Sequence, residues 1–185
     1  MKKILSILLS IISIAVFSQS SQNLDIKNGF RNFKLGDSPL QIKNLVIQTN
    51  QKSENPHVAT YKYIGKDIEY VAGIKVDNII LSFFKNKLYS IGVNFGDFEQ
   101  IQFTHNEYTT LQEYLEQSYG DKWLLPLNNE GRTLEGAIWK GKKVTLELFR
   151  RGYGQKNNLN DYDYVGGYIH IFENNLNKQL YDSNF

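Results

Sequence analysis

The sequence predicts an α+β fold in which two helices pack on antiparallel β-meanders. Several segments alternate between apolar and polar residues, as in 79–83 and 89–95, which is typical of strands with one buried face. Two other segments place apolar residues at helical spacing behind a capping box. The order helix, strand, Gly-Lys turn, strand, strand occurs twice. This repetition predicts a pseudo-duplicated unit with halves 29–100 and 101–185.

The first 18 residues predict a cleaved secretory signal peptide. Lys2 and Lys3 precede 14 mostly apolar residues, 4–17, and a polar segment follows them. This run is shorter than the about 20 residues that span a membrane, and small residues favour cleavage between Ser18 and Gln19. We therefore expect a periplasmic or extracellular protein with no transmembrane segment after cleavage. Since the chain has no cysteine, we expect no lipid anchor either.

Composition limits the function classes. Two of the 21 basic residues leave with the signal peptide, so 19 basic and 19 acidic residues remain. Neither this balance nor any basic cluster indicates nucleic-acid binding. The remaining chain has the size of one domain, and its lack of cysteine excludes thiol catalysis. We predict a polar lead-in over 19–28 and a single domain over 29–185.

The elements of the first half are predicted in order. Ser38 and Gln41 form a capping box, and the apolar spacing behind it predicts a helix over 39–48. Two hairpins are expected to follow, because alternating runs flank short polar turns. Their strands are residues 60–64 with 68–72, and residues 79–83 with 89–95.

The second half repeats these signals. Thr104 and Glu107 form another capping box, apolar residues follow at helical spacing, and Gly120 is placed as a C-terminal stop. A hairpin with a Gly-Lys turn and a final strand are expected after this helix. Their strands are residues 134–139, 144–149 and 164–172.

These motifs resemble small exported envelope proteins of Gram-negative bacteria. The segments that carry the resemblance are FKLGDSPLQI at 33–42, FKNKL at 84–88 and LQEYLEQSYG at 111–120, with Trp139 after them. Their layout is similar to the β-lactamase-inhibitor-like and SmpA/OmlA-like helix-plus-sheet modules. The resemblance implies protein binding rather than catalysis. The inhibitor proteins are disulfide-bonded and this chain has no cysteine, so no functional residue carries over.

The residues that could perform chemistry form no known motif. His57, His105 and His170 are isolated in the sequence, and no Gly-x-Ser-x-Gly elbow or phosphate-binding glycine loop is present. Glu113 and Glu116 lie three residues apart on a predicted helix, as on a solvated helix face. We therefore predict no catalytic residue and no cofactor.

One polar segment, residues 150–164, stands out as a candidate contact loop. Its tyrosines, arginines, asparagines and glycines are typical of recognition loops, because tyrosine offers a large contact area at little entropic cost. With the strand that follows, it supplies the predicted residues for contact with a protein or a glycan. They are Arg150, Arg151, Tyr153, Tyr162, Tyr164, Tyr168 and His170.

The same loop offers oxygen ligands at nearly alternate positions, which is the donor type that Ca²⁺ prefers. It lacks the complete loop frame of a calcium-binding helix pair. A calcium site is therefore kept only as an alternative. Its ligands would be Asn158, Asn160, Asp161 and Asp163.

Together these observations predict an exported, non-catalytic binding protein. Its expected partner is another envelope or secreted protein, which it would restrain as an inhibitor or immunity protein does. A glycan-acting or other hydrolase, with residues that meet only in the fold, remains an alternative. A small-ligand or calcium-binding module is a second one.

Overall fold

The structure, a computed structural model, describes residues 23–48, 55–96, 102–126, 133–154 and 162–183. Within these ranges there are ten strands and three α-helical segments, besides a 3₁₀ turn over Pro39–Gln41. The helical segments are α1 (residues 23–27), α2 (His105–Tyr119) and α3 (Asn174–Ser183). The strands are β1 (Gly29–Phe30), β2 (Phe33–Lys34), β3 (Leu45–Ile47), β4 (Val58–Tyr63), β5 (Tyr70–Val71), β6 (Ile74–Phe84), β7 (Lys87–Phe95), β8 (Thr133–Lys140), β9 (Val144–Tyr153) and β10 (Tyr164–Glu173).

An antiparallel sheet with the strand order β3–β4–β6–β7–β10–β9–β8 organises the molecule. Two meanders, β4–β6–β7 and β8–β9–β10, lie side by side. The ladder between β7 and β10, which pairs Val93 with Ile169 and Ile91 with Ile171, joins them. Helices that accompany an antiparallel sheet confirm the predicted α+β class.

The helix α2 covers one face of this sheet and closes the core. As predicted, it begins at Thr104, whose side chain accepts the N–H of Glu107, and ends at Gly120 in a left-handed conformation (φ 96°). Its apolar face meets side chains that alternate inward along the central strands. The buried residues of α2 are Tyr108, Leu111, Leu115 and Tyr119, and those of the sheet include Leu81, Ile91, Val93, Trp139, Leu146, Leu148, Ile169 and Ile171.

Residues 23–28 lie against the domain, although the sequence predicts them as part of a lead-in. Leu24 is buried in the core. The carboxylate of Asp25 accepts three backbone N–H groups of the β8–β9 turn, at 2.9 to 3.0 Å. The hydroxyl of Tyr119, whose pKa is raised by burial to about 12, donates to the carbonyl of Gly29 at 3.2 Å. The start of the described chain is therefore held by the β8–β9 turn and by α2.

The predicted helix over 39–48 is wrong. The capping side chain of Gln41 does accept the N–H of Ser38 at 2.7 Å, but only a 3₁₀ turn over Pro39–Gln41 follows. Asn44 then has a left-handed φ of 60°, and β3 pairs with β4. The β-branched residues after the turn have low helix propensity, so pairing at the sheet edge prevails.

The predicted hairpin of 60–64 with 68–72 is also wrong. The strand β4 pairs with β6 instead, and the short β5 pairs with the start of β6. The chain reverses at Ala72 and Gly73, which both have positive φ (51° and 78°), as a tight hairpin turn requires. The hairpin turn therefore lies at Ala72–Gly73 and not at Gly65–Lys66, where the sequence predicts it.

The other predicted hairpins and the last strand are confirmed. The strands β6 and β7 pair around Lys85 and Asn86, β8 pairs with β9, and β10 covers 164–173. The helix α3 was not predicted, although Leu176 and Leu180 recur at helical spacing within it; none of its residues is buried. No helix in the described ranges has the length and apolar character needed to cross a membrane.

We predict that Asp25→Ala lowers the free energy of unfolding by about 1–3 kcal/mol, because three N–H groups lose a charged acceptor. Urea denaturation of the two proteins measures the difference. The matched control is Asp121→Ala, since Asp121 is exposed and makes no such bonds within the described residues; its change should stay within about 0.5 kcal/mol. Equal losses in the two variants would contradict the anchoring role of Asp25.

Candidate functional site

The face of the sheet opposite α2 carries a cluster of aromatic and charged side chains. Successive residues of a strand point to opposite faces. Because Leu146 and Leu148 of β9 face the core, Glu147 and Phe149 lie on the opposite face. The register of β9 with β10 then places tyrosines beside them. We call this surface the tyrosine face, and its residues are Glu147, Phe149, Arg151, Tyr153, Tyr164, Tyr168 and His170.

Arg151 is held over two stacked rings on this face. Phe149 and Tyr168 lie opposite each other in register, with ring centroids 5.2 Å apart and planes 29° apart. The guanidinium carbon of Arg151 lies 4.9 Å from the centroid of Phe149 and 5.2 Å from that of Tyr168. Each such contact stabilises by about 0.5–1 kcal/mol at an exposed site. The stack therefore fixes the direction of the arginine.

A missing side chain makes room for the stack. Gly136 on β8 lies opposite Phe149, and a Cβ there would lie 2.8 Å from the ring. The ring thus occupies the space that another residue would fill, and Pro126 closes it from outside. Phe149 is buried as a result.

The charge of Arg151 has no acidic partner within the described residues. The ion pairs found there do not include it. Its Nε atom is buried and has no hydrogen-bond partner in the same ranges. A buried donor without a partner costs about 1–3 kcal/mol. Arg151 is therefore oriented by aromatic rings, and its positive charge has no carboxylate beside it within the described residues.

An open groove of about 350 Å³ runs beside the stack. Tyr153, Tyr164 and Tyr168 line one side of it, and the paired amides of Asn78 and Asn94 line the other. The groove therefore presents rings on one side and hydrogen-bonding groups on the other.

Tyr164 is the scaffold of this groove rather than a free contact. Its ring lies over Gly166, and its hydroxyl donates to the carbonyl of Gly96 at 2.7 Å. The side chain is only 7% exposed. Tyr153 packs on it with ring centroids 5.7 Å apart. Tyr153 and Tyr168 are consequently the tyrosines of the face that remain partly exposed.

The structure separates the residues that the sequence grouped into one contact surface, formed by the 150–164 loop and the adjoining strand. Arg151, Tyr153, Tyr164, Tyr168 and His170 lie on the tyrosine face. Phe149 was missed, although strand alternation from Arg151 could have placed it there.

Arg150 lies on the opposite face from Arg151, because neighbouring strand residues alternate. Its Nε donates to the carbonyl of Phe103 at 2.9 Å, and its Nη1 lies 3.3 Å from the Glu135 carboxylate, which also contacts His105. The ring of Tyr162 fills the space beside Gly152. These two predicted contact residues thus pack against the protein itself.

The alternative calcium site lies mostly outside the described residues, since these omit Asn158, Asn160 and Asp161. Asp163 is described and exposed. Within the described ranges, no group of three histidine, aspartate or glutamate side chains is placed to hold a metal ion.

Two glycines of this face give a matched pair for testing its packing. We predict that Gly166→Ala lowers the free energy of unfolding by about 1–3 kcal/mol, because the new Cβ would lie 2.9 Å from the Tyr164 ring. Gly92→Ala meets nothing closer than 3.8 Å and should change stability by less than about 1 kcal/mol. Thermal and urea unfolding measure both, and a Gly92→Ala loss as large as that of Gly166→Ala would contradict the described position of Tyr164.

Comparison of the chain with protein-family models, curated proteins and solved structures finds no match. The resemblance to exported envelope modules stays a prediction. A function for the tyrosine face must therefore be inferred from its own side chains.

Proposed function

We propose that the protein is exported and binds another exported or envelope protein through its tyrosine face. The observation that carries this proposal is Arg151, a cation fixed by two rings and without an acidic partner in the described residues. Charge complementarity favours a partner that presents a carboxylate there. Binding of this kind would restrain the partner, as inhibitor and immunity proteins do.

The energetics of the stack support a role in recognition. An arginine in free solution loses side-chain entropy when it binds, at a cost of about 0.5–1.5 kcal/mol. The rings of Phe149 and Tyr168 have already ordered Arg151, so most of this cost falls on folding rather than on binding. Tyrosine and arginine are also the residue types that contribute most to protein interfaces.

The shape of the site favours a large partner. The groove beside Tyr168 is open along the sheet and does not enclose a small molecule. Partly exposed tyrosines beside an ordered cation are typical of a macromolecular contact. A glycan would stack on the same tyrosines, but it would need no carboxylate opposite Arg151 unless it were acidic.

We predict that Arg151→Gln reduces binding at least 10-fold, because the partner's carboxylate loses its charged donor. The exported protein is immobilised, the envelope fraction of its own cells is applied, and bound proteins are quantified by mass spectrometry. Tyr168→Ala should cause a loss of similar size. The control is Lys66→Gln, which removes an exposed charge from a turn outside the tyrosine face.

The decisive comparison is between Arg151→Gln and Lys66→Gln at equal thermal stability. A protein that is retained by wild type and by Lys66→Gln, but lost with Arg151→Gln, supports the proposal. Retention of the same proteins by all variants would contradict it. Digestion of the captured material with a protease, before elution, separates a protein partner from a glycan.

We also propose that the two meanders are a pseudo-duplicated pair. Their strand order supports this. Counted along the chain, the third strand of each meander, β7 or β10, lies at the centre of the sheet, and the earlier strands of each lie further out. The helix expected at the start of the first half is absent, so any duplication concerns the meanders alone.

A further inference from the structure

Three side chains of neighbouring strands form a hydrogen-bonded chain on the tyrosine face, next to the Arg151 stack along β9 and β10. The Oγ of Ser90 on β7 lies 2.8 Å from the Nε2 of His170 on β10. The Nδ1 of the same ring lies 3.3 Å from a carboxylate oxygen of Glu147 on β9. An ionised carboxylate only accepts hydrogen bonds, so Nδ1 carries the hydrogen and Nε2 accepts the Ser90 hydroxyl.

This connectivity is the one that activates a serine. A nucleophile is recognised by a hydrogen bond to a base, and the base by a second bond to a group that orients it. His170 is in the position of the base, and Glu147 is the group that fixes its tautomer. The sequence places Ser90 80 residues before His170, and only the ladder between β7 and β10 brings them together.

The backbone around Ser90 departs from regular pairing. Ser82 pairs with Ser90 but Phe83 pairs with Leu88, so Tyr89 is an extra residue in β7. Such bulges redirect neighbouring side chains and are frequent beside active sites.

There is room for a reacting group next to the chain. Gly92 lies directly opposite His170 and has nothing within 3.8 Å of the position of a Cβ. The side chain of His170 is 35% exposed, that of Glu147 is 23% exposed, and Ser90 is 9% exposed. The base is thus partly accessible, whereas Ser90 is nearly buried.

We propose that Ser90, His170 and Glu147 form a serine-dependent site that hydrolyses carboxylic esters. The Ser90 oxygen attacks the ester carbonyl carbon, and its proton passes to Nε2 of His170. The resulting imidazolium, stabilised by Glu147, returns this proton to the departing alcohol oxygen as the ester bond breaks. Water then attacks the acyl group on Ser90, His170 takes and returns its proton, and the carboxylic acid leaves.

The surroundings of Ser90 favour esters over amides. The strand β7 is paired on both sides, so its ladder N–H groups are engaged. The hydroxyl of Ser82, the residue directly opposite Ser90, is the candidate donor to a developing oxyanion, and it also lies 3.4 Å from the hydroxyl of Thr60. A single hydroxyl stabilises this charge less than two backbone N–H groups, and an alcohol leaves more readily than an amine. Because the face is open, the ester would be carried by a macromolecule rather than enclosed.

A biotin-linked fluorophosphonate, which reacts with activated serines, tests the proposal on the exported protein. We expect one phosphonyl group on Ser90 of the wild type, located by peptide mass spectrometry. The rate of labelling should fall at least about 100-fold in Ser90→Ala and in His170→Gln. In the control Ser38→Ala it should equal the wild-type rate. A folded wild type that is not labelled would overturn the proposal, as would equal labelling of His170→Gln.

A second measurement uses the absence of cysteine from the chain. Ser90→Cys introduces the only thiol, and iodoacetamide alkylates it as the thiolate, normally with a midpoint near about pH 8.5. If His170 takes the proton, this midpoint should lie at least about one pH unit below that of Ser38→Cys. In the double variant with Ser90→Cys and His170→Gln, the midpoint should return to that of Ser38→Cys. Equal midpoints for Ser90→Cys and Ser38→Cys would overturn the role of His170. The result is independent of the envelope partner, whose capture depends on Arg151.

Discussion

The ladder between β7 and β10 is the contact on which the rest of the molecule depends. Each meander alone would expose the inner edge of its last strand, and an isolated edge is a site of wrong pairing. Pairing the two edges makes one sheet wide enough for α2 to cover. The same ladder aligns Ile91 and Val93 with Ile171 and Ile169 in the core. On the reverse side it brings residues of both halves into one surface.

Strand alternation divides the sheet into two chemically different faces. Toward α2 the side chains are apolar and close-packed, so that face specifies the fold. On the other face, the rings of Phe149 and Tyr164 are buried outside the main core cluster, and the polar groups of Arg151, His170 and Glu147 add no apolar contact to that core. Their regular arrangement is therefore not required by the core. Polar order that folding does not require is the strongest structural reason to associate this face with function.

Local signals predicted the parts of the fold that are local. The helix α2 was predictable because the cap at Thr104, the apolar spacing and the stop at Gly120 agree. An equal cap at Ser38 failed, since pairing of β3 with a distant strand outweighed it. In the candidate site, the residues of β9 and β10 were found from composition. Ser90 was not, because its neighbour His170 is distant in sequence and no local pattern marks a strand serine.

The bonds of Asp25 to the β8–β9 turn span 117 to 119 positions of the chain. A ribosome makes the N-terminal segment first, yet the turn that receives it is made only after about three quarters of the chain. The segment that is synthesised first is therefore among the last to make its contacts, and contacts of such long range form slowly. Until the turn exists, the carboxylate of Asp25 lacks the N–H groups that it binds in the fold. The fold is therefore complete only when Asp25 has bound the β8–β9 turn.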